Sequence, residues 1–186
     1  MIKDIFKVEL YKVKLEGIDN HAISNHIEKN AKVEETMFGK GKNFSDVLDN
    51  ELFKKLNEEV EKHFNILFHK NCPKEYCLKI NQAWYNKGAD ELIIEPHKHQ
   101  NSVYSAVYYP FSTDGKIVFQ NPGHSVNNSI PPEIIKVWDE YIGDLHTENV
   151  RTGDLIIFKS GLFHWIQQSE FDRYSVAYNS QLVFLE

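Results

Sequence analysis

From Tyr76 onward the chain is a succession of short runs alternating apolar and polar residues, broken by glycine, asparagine, aspartate and proline. The runs are Tyr76–Tyr85, Leu92–Glu95 leading into His97, Val103–Tyr109, Lys116–Gln120, Asp154–Lys159, His164–Gln168 and Arg173–Leu185. Alternation puts successive side chains on opposite faces of a strand, so each run has one face to bury. Many such strands at regular spacing close on one another as a β-sandwich or barrel. This pattern limits the fold more than any other feature of the sequence.

The first 75 residues have a different texture. Residues 5–15 alternate and predict a strand, and residues 18–32 predict a short helix with Asn20 as its cap. A longer helix is predicted from Ser45-Asp46, which can cap it. Its apolar stripe is Val47, Leu48, Leu52, Phe53, Leu56, Val60, Phe64, Leu67 and Phe68, at steps of three and four. Asn71-Cys72-Pro73 ends it. Such a helix needs a sheet to cover. Residues 121–150 read as irregular, with Pro131-Pro132-Glu133 opening a short helix through Tyr141, and an insertion there suits a lid or binding loop. No repeat or linker divides the chain. The expectation is one domain over residues 1–186, with residues 1–75 a helical N-terminal part packed on the sheet.

Charge and composition narrow the function. A net charge of −6 argues against binding a nucleic-acid backbone. No apolar run reaches membrane-spanning length and the first residues lack a secretory core, so a soluble, cytoplasmic protein is expected. The two cysteines, Cys72 and Cys77, fit free thiols in a reducing compartment.

Against this background, His97-Lys98-His99 stands out. Two histidines two apart on a strand point to one face. His164 follows the turn Ser160-Gly161, and Arg173 begins the next alternating run. Three convergent imidazoles suit a divalent transition metal, and a nearby arginine suits a carboxylate held beside it. The residues together read as a mononuclear iron site with a carboxylate cosubstrate. The other histidines have plainer readings. His63 and His69 fall on the long helix, partly exposed, while His124 and His146 fall in the irregular segment against solvent. Asp154 reads as a turn residue, and Trp84 and Trp165 as wall packing.

Over roughly residues 76–184 the chain resembles the Fe(II)/2-oxoglutarate-dependent dioxygenases, in particular the prolyl-hydroxylase-like branch. The family pattern is His-x-Asp/Glu, a distal His, then Arg or Lys about ten residues later. His97 matches the first ligand, His164 the distal ligand and Arg173 the cosubstrate-binding base. Arg173-x-Ser175 resembles the pair that grips the far carboxylate. Ala83-Trp84-Tyr85-Asn86 and Val107-Tyr108-Tyr109 resemble segments that place tyrosines near 2-oxoglutarate, with Tyr109 at the distal carboxylate and Tyr85 nearer the metal. The resemblance implies a double-stranded β-helix (jelly-roll, cupin-like) core backed by N-terminal helices. It also implies Fe(II) and 2-oxoglutarate as cofactors, with ascorbate as a reductant, and hydroxylation with release of succinate and CO2.

One position departs from the pattern. His99 stands where the family carries a carboxylate, so either it is the third ligand or it stands behind the ligands, leaving an open coordination position or a carboxylate supplied by Glu95 or, more remotely, Asp114. Two other readings stay open. Gly153–His164 also resembles the second cupin motif, with Lys159 where proline is usual, as in metal-dependent dioxygenases or isomerases without a keto acid. A non-catalytic binding protein on the same fold is the other. The sequence names no substrate beyond a small molecule or peptide, and leaves oligomeric state open.

Overall fold

The alternating runs pair into two antiparallel sheets that face each other. A computed structural model describes residues 8–31, 34–36, 39–41, 46–88, 94–122, 145–166 and 173–185. In chain order its strands are β1 (Leu10–Lys14), β2 (Glu34–Thr36), β3 (Gly39–Gly41), β4 (Tyr76–Gly88), β5 (Ile94–His97), β6 (Tyr104–Ser112), β7 (Gly115–Gln120), β8 (Leu145–Val150), β9 (Asp154–Lys159), β10 (His164–Ile166) and β11 (Arg173–Phe184). Its helices are α1 (Asn20–Asn30) and α2 (Lys54–Phe68), the second preceded by a 3-10 turn at Glu51–Phe53. The larger sheet has the order β1-β9-β6-β11-β4, the smaller β5-β10-β7-β8, and β2 and β3 form a separate hairpin. The fold is mainly β, a jelly roll with N-terminal helices on one sheet.

Strand parity sorts the buried residues into two cores. Tyr85 of β4, Ala106 and Tyr108 of β6, Leu155 and Ile157 of β9, and Val176 and Tyr178 of β11 pack against the helices. Their immediate neighbours Val107, Tyr109, Ile156 and Phe158 instead meet Ile117, Phe119 and Val150 of the smaller sheet. Helix α2 buries Leu56, Val60, Phe64 and Leu67, spaced at one helical turn. Each such side chain contributes roughly 1.5–3 kcal/mol on full burial. The Asn65 amide fixes the helix to β4, donating to the Leu78 carbonyl and accepting from the Leu78 amide, both at 2.8 Å. Tyr178 donates to Asn57 of α2 at 3.0 Å. The buried hydroxyl thus finds a partner on the layer above.

Several boundaries differ from the sequence reading. Asp19, one residue earlier than Asn20, caps α1 by accepting from the Ala22 amide. Helix α2 starts at Lys54, well after Asp46. The Asn50 side chain accepts from the Leu52 amide and begins a 3-10 turn there, while the Asp46 carboxylate meets His26 and Asn50. Local side-chain capping outcompeted continuation of the apolar stripe. Residues 145–150, expected to be irregular, form β8 against β7. The hairpin β2–β3 had no sequence expectation. Ser45, Leu92, His124 and the segment from Pro131 to Tyr141 lie outside the described residues. Asp154 does close a turn, accepting from the Arg151 amide at 2.9 Å. Cys72 and Cys77 are free thiols. Among the described residues no helix is long and apolar enough to cross a membrane.

Candidate metal and carboxylate site

His97 ends β5 and His164 begins β10, and the two are directly opposed in the antiparallel pairing. Opposed residues on adjacent strands bring their side chains together, and these rings lie 4.4 Å apart between centroids. Strand β5 stops at His97, so parity alone does not place His99. Its backbone amide donates to the Ser160 carbonyl at 2.9 Å, which keeps the chain beside the turn leading into His164. The His99 ring lies 5.1 Å from each of the other two. One ring nitrogen from each histidine falls within 4.8 Å of the others.

Hydrogen bonds fix two of the tautomers. Nδ1 of His97 lies 2.8 Å from the Glu95 carbonyl, and Nδ1 of His164 lies 2.9 Å from the Leu162 carbonyl. A carbonyl only accepts, so each Nδ1 carries the proton and each Nε2 is the unprotonated nitrogen. Burial holds His164 down to about 3, although the Leu162 carbonyl pulls the other way. Burial, then the neighbouring His97, holds His99 down to about 4. Both rings are neutral at pH 7, the form a metal requires. Imidazole donors at this separation fit a first-row divalent cation. Neither alternative carboxylate joins them: among the described residues, the donor atoms that gather here are those of the three histidines.

Arg173 opens β11 on the inter-sheet face. Its side chain runs between two glycines, Gly88 on β4 and Gly115 on β7. A Cβ on Gly88 would sit 3.3 Å from the Arg173 guanidinium, and one on Gly115 would sit 3.2 Å from its Cδ. The arginine is only 4 % exposed, yet among the described residues no acid pairs with it and its Nη1 has no hydrogen-bond partner. The buried Tyr109 hydroxyl beside it is also without a partner there. Burial pushes that hydroxyl up to about 12, against the pull of Arg173, so it stays a donor. An unpaired buried charge costs several kcal/mol. A guanidinium and a phenol left open together form a receptor for a carboxylate.

The floor between these two features follows from register. On β11 the residues of Arg173's parity are Ser175, Ala177 and Asn179, and opposite them on β4 stand Gly88, Asn86, Trp84 and Gln82. Trp84 approaches His99 to 5.6 Å between ring centroids. Ser175 and Ala177, both small, stand between the arginine end and the histidine end.

Of the residues singled out from sequence, His97, His99 and His164 converge, and Arg173, Tyr109 and Ser175 share the inter-sheet face. Tyr85 does not. It stacks on Phe53 and meets His26 edge-on, under the helices on the opposite face of the larger sheet. Its parity is that of Val176, with which it pairs. Trp84, expected only to pack, takes the cleft-facing place. Gly88, Gly115, Asn86, Gln82 and Asn179 were missed. Counting parity across the β4–β11 pair from Arg173 would have found the β4 residues and Asn179.

Fold and site together define a non-haem iron oxygenase of the jelly-roll kind. The family model described as "Putative 2OG-Fe(II) oxygenase" matches residues 82–179, more than half the chain, and the chain belongs to that family. The protein is accordingly a 2-oxoglutarate- and Fe(II)-dependent oxygenase. Solved structures with the same fold include the non-haem α-ketoglutarate-dependent epimerase SnoN from nogalamycin biosynthesis, at TM-score 0.67 and 11% identity over 96% of this chain and 82% of that one. HygX from Streptomyces hygroscopicus, solved with nickel and 2-oxoglutarate, matches at TM-score 0.63 and 12% identity over 94% of this chain and 82% of its own. A Pseudomonas putida prolyl-4-hydroxylase matches at TM-score 0.60 and 12% identity over 94% of this chain and 93% of its own. No curated protein matches the sequence.

Proposed function

We propose that His97, His99 and His164 hold the Fe(II) through ring nitrogens, and that Arg173, Tyr109 and Ser175 hold the far carboxylate of 2-oxoglutarate. The supporting observation is a buried arginine that has no acid beside it among the described residues, with a tyrosine hydroxyl at its side that has no partner among them either. When bound, iron and keto acid supply the oxidation chemistry, in which dioxygen converts 2-oxoglutarate to succinate and CO2 as a substrate C–H bond is hydroxylated. The chain's residues bind and orient. The planar guanidinium matches a carboxylate in two parallel hydrogen bonds, and Tyr109 donates a further one. Burial of Arg173 and His164 excludes water and strengthens the charge pairing. A reading without a keto acid leaves that arginine uncompensated.

The substrate, a small molecule or peptide, approaches from the His97–His99 side. Those two rings are partly exposed, whereas His164 and Arg173 are buried. The negative net charge supports a substrate other than nucleic acid, and the helices covering the larger sheet support reading residues 1–186 as one soluble domain. Anaerobic titration with Fe(II) and then 2-oxoglutarate tests the assignment, with ascorbate keeping the metal reduced. The weak visible charge-transfer band of a chelated keto acid should appear in the native protein and vanish in His164→Ala. Its absence from the native protein would refute the proposal.

A further inference from the structure

The inter-sheet face carries a row of buried polar side chains that neither the metal nor the arginine requires. Asn179 is 3 % exposed, Ser105 1 % and Ser160 0 %. The structure places the Asn179 amide oxygen 2.8 Å from Ser105 Oγ. It places the amide nitrogen 3.1 Å from the Gln82 amide oxygen and 3.5 Å from Nδ1 of His99. Ser105 Oγ lies 2.8 Å from Ser160 Oγ, and Ser160 Oγ 2.8 Å from Ser102 Oγ. Ser102 Oγ ends the row at the Tyr104 carbonyl, 2.9 Å away.

Counting protons along this row decides which way the amide points. The row has four links, and each needs one hydrogen. Three hydroxyls supply three. The Tyr104 carbonyl can only accept, and it takes the hydrogens of both Ser180 Oγ and Ser102 Oγ, so neither is left for the rest of the row. Ser160 must then donate to Ser102, and Ser105 to Ser160. The remaining link, between Ser105 and Asn179, has to be donated by the amide nitrogen. With the amide oxygen turned to Ser105 instead, two buried lone pairs would face each other somewhere along the row. The two ends of an amide have nearly the same shape, so hydrogen supply decides between them. Gln82 is exposed and can present its own nitrogen to the Asn179 oxygen without cost. Exchanging the two ends puts the amide oxygen where the nitrogen lies, about 3.5 Å from Nδ1 of His99.

An amide oxygen facing Nδ1 of His99 makes a bond only if Nδ1 carries the proton. Nε2 is then bare. His97 and His164 are held in that same state by the carbonyls of Glu95 and Leu162. We propose that Asn179 is a positioning residue for the third ligand. Its amide oxygen accepts from His99 Nδ1–H and leaves Nε2 open to the cation, and the Ser105–Ser160–Ser102 row sets the amide. The inference rests on the reading of His99 as a ligand.

Two measurements on the full chain test it. In the metal-free, 15N-labelled protein, long-range proton–nitrogen correlation should find His99 as the Nδ1–H tautomer. The Nε2–H tautomer overturns the proposal with no variant needed. Titration with Co(II), read from its visible bands, should give a roughly 10- to 100-fold weaker affinity in Asn179→Leu, the usual loss when the partner of a ligating histidine is removed. Asn179→Asp, whose carboxylate accepts from Nδ1–H but offers no hydrogen to Ser105, should bind Co(II) more tightly than Asn179→Leu; affinity no better than that of Asn179→Leu would count against the proposal. In a His99→Ala background, Asn179→Leu should have no further effect. If His99→Ala weakens Co(II) binding and Asn179→Leu does not, the positioning role is wrong. If His99→Ala leaves Co(II) affinity unchanged, the ligand reading itself is wrong.

Discussion

The two faces of β11 are made by the same twelve residues and do opposite work. On the helix side, Val176 and Tyr178 are fully buried among Phe53, Leu56 and Phe64, and the Tyr178 hydroxyl is satisfied by Asn57. On the side facing the smaller sheet, Arg173, Ser175 and Asn179 are just as buried, but the arginine's charge is unpaired among the described residues. The first face repays burial with apolar contact and complete hydrogen bonding. The second holds a guanidinium nitrogen and the Tyr109 hydroxyl, both without a partner among the described residues, beside polar groups that satisfy one another. Stability and chemistry are therefore separated by strand parity, within one strand.

A crossed pair of substitutions should break this separation if it is wrong. Phe64→Ala removes a ring from the helix-side core and should cost about 3–5 kcal/mol in urea unfolding, while Fe(II) and 2-oxoglutarate affinities of the folded protein stay native. Arg173→Leu should do the reverse. Losing a charge-assisted bidentate contact, worth roughly 3 kcal/mol or more, should weaken 2-oxoglutarate binding at least about 100-fold and spare the metal. The metal-free variant should be as stable as the native protein or more so, because an uncompensated buried charge is gone. A large stability loss in Arg173→Leu would show that the guanidinium supports the fold.

A smaller effect is expected from the walls of the arginine's slot. Gly88→Ala places a methyl group 3.3 Å from the guanidinium and 3.1 Å from the Arg173 carbonyl, closer than comfortable van der Waals contact. The arginine can shift by a few tenths of an ångström, so the strand survives, but its aim changes. Isothermal titration should show 2-oxoglutarate affinity reduced by about tenfold, in keeping with about 1–3 kcal/mol for an overpacked site, with Fe(II) affinity unchanged. Native affinity in the variant would mean that the slot does not set where the guanidinium points.

What the sequence made legible follows the same division. The strands after Pro73 were readable because turn residues punctuate them and alternation marks one buried face, and the histidines and arginine lie on or beside those strands. His99 was placed with His97 by strand parity, yet β5 ends at His97 and the convergence depends on a backbone bond to Ser160. No periodicity predicts a contact between residues 61 positions apart. The start of α2 was misread because the apolar stripe from Val47 continues through a turn, while Asn50 supplies a local cap that outweighs it. Strand β8 was hidden because five of its six residues are at least partly exposed, so no apolar face announces it. The serine row was invisible since its members, on or just beyond the ends of β6, β9 and β11, come together only when those strands pair.

The sharpest test of parity compares two tyrosines that the sequence had placed together. Tyr85 and Tyr109 are both fully buried in the larger sheet, on opposite faces. Tyr109→Phe deletes a hydroxyl that has no partner among the described residues, so the metal-free protein should lose no stability. It should nevertheless bind 2-oxoglutarate roughly fivefold more weakly, the equivalent of one neutral donor at about 1 kcal/mol. Tyr85→Phe alters a ring stacked on Phe53 beneath the helices and should leave cosubstrate affinity native. Because both changes delete the same atom from the same kind of residue, a difference in binding isolates the face each one occupies. Equal losses would mean that the helix side also feels the ligand, and the division of labour across the sheet would not hold.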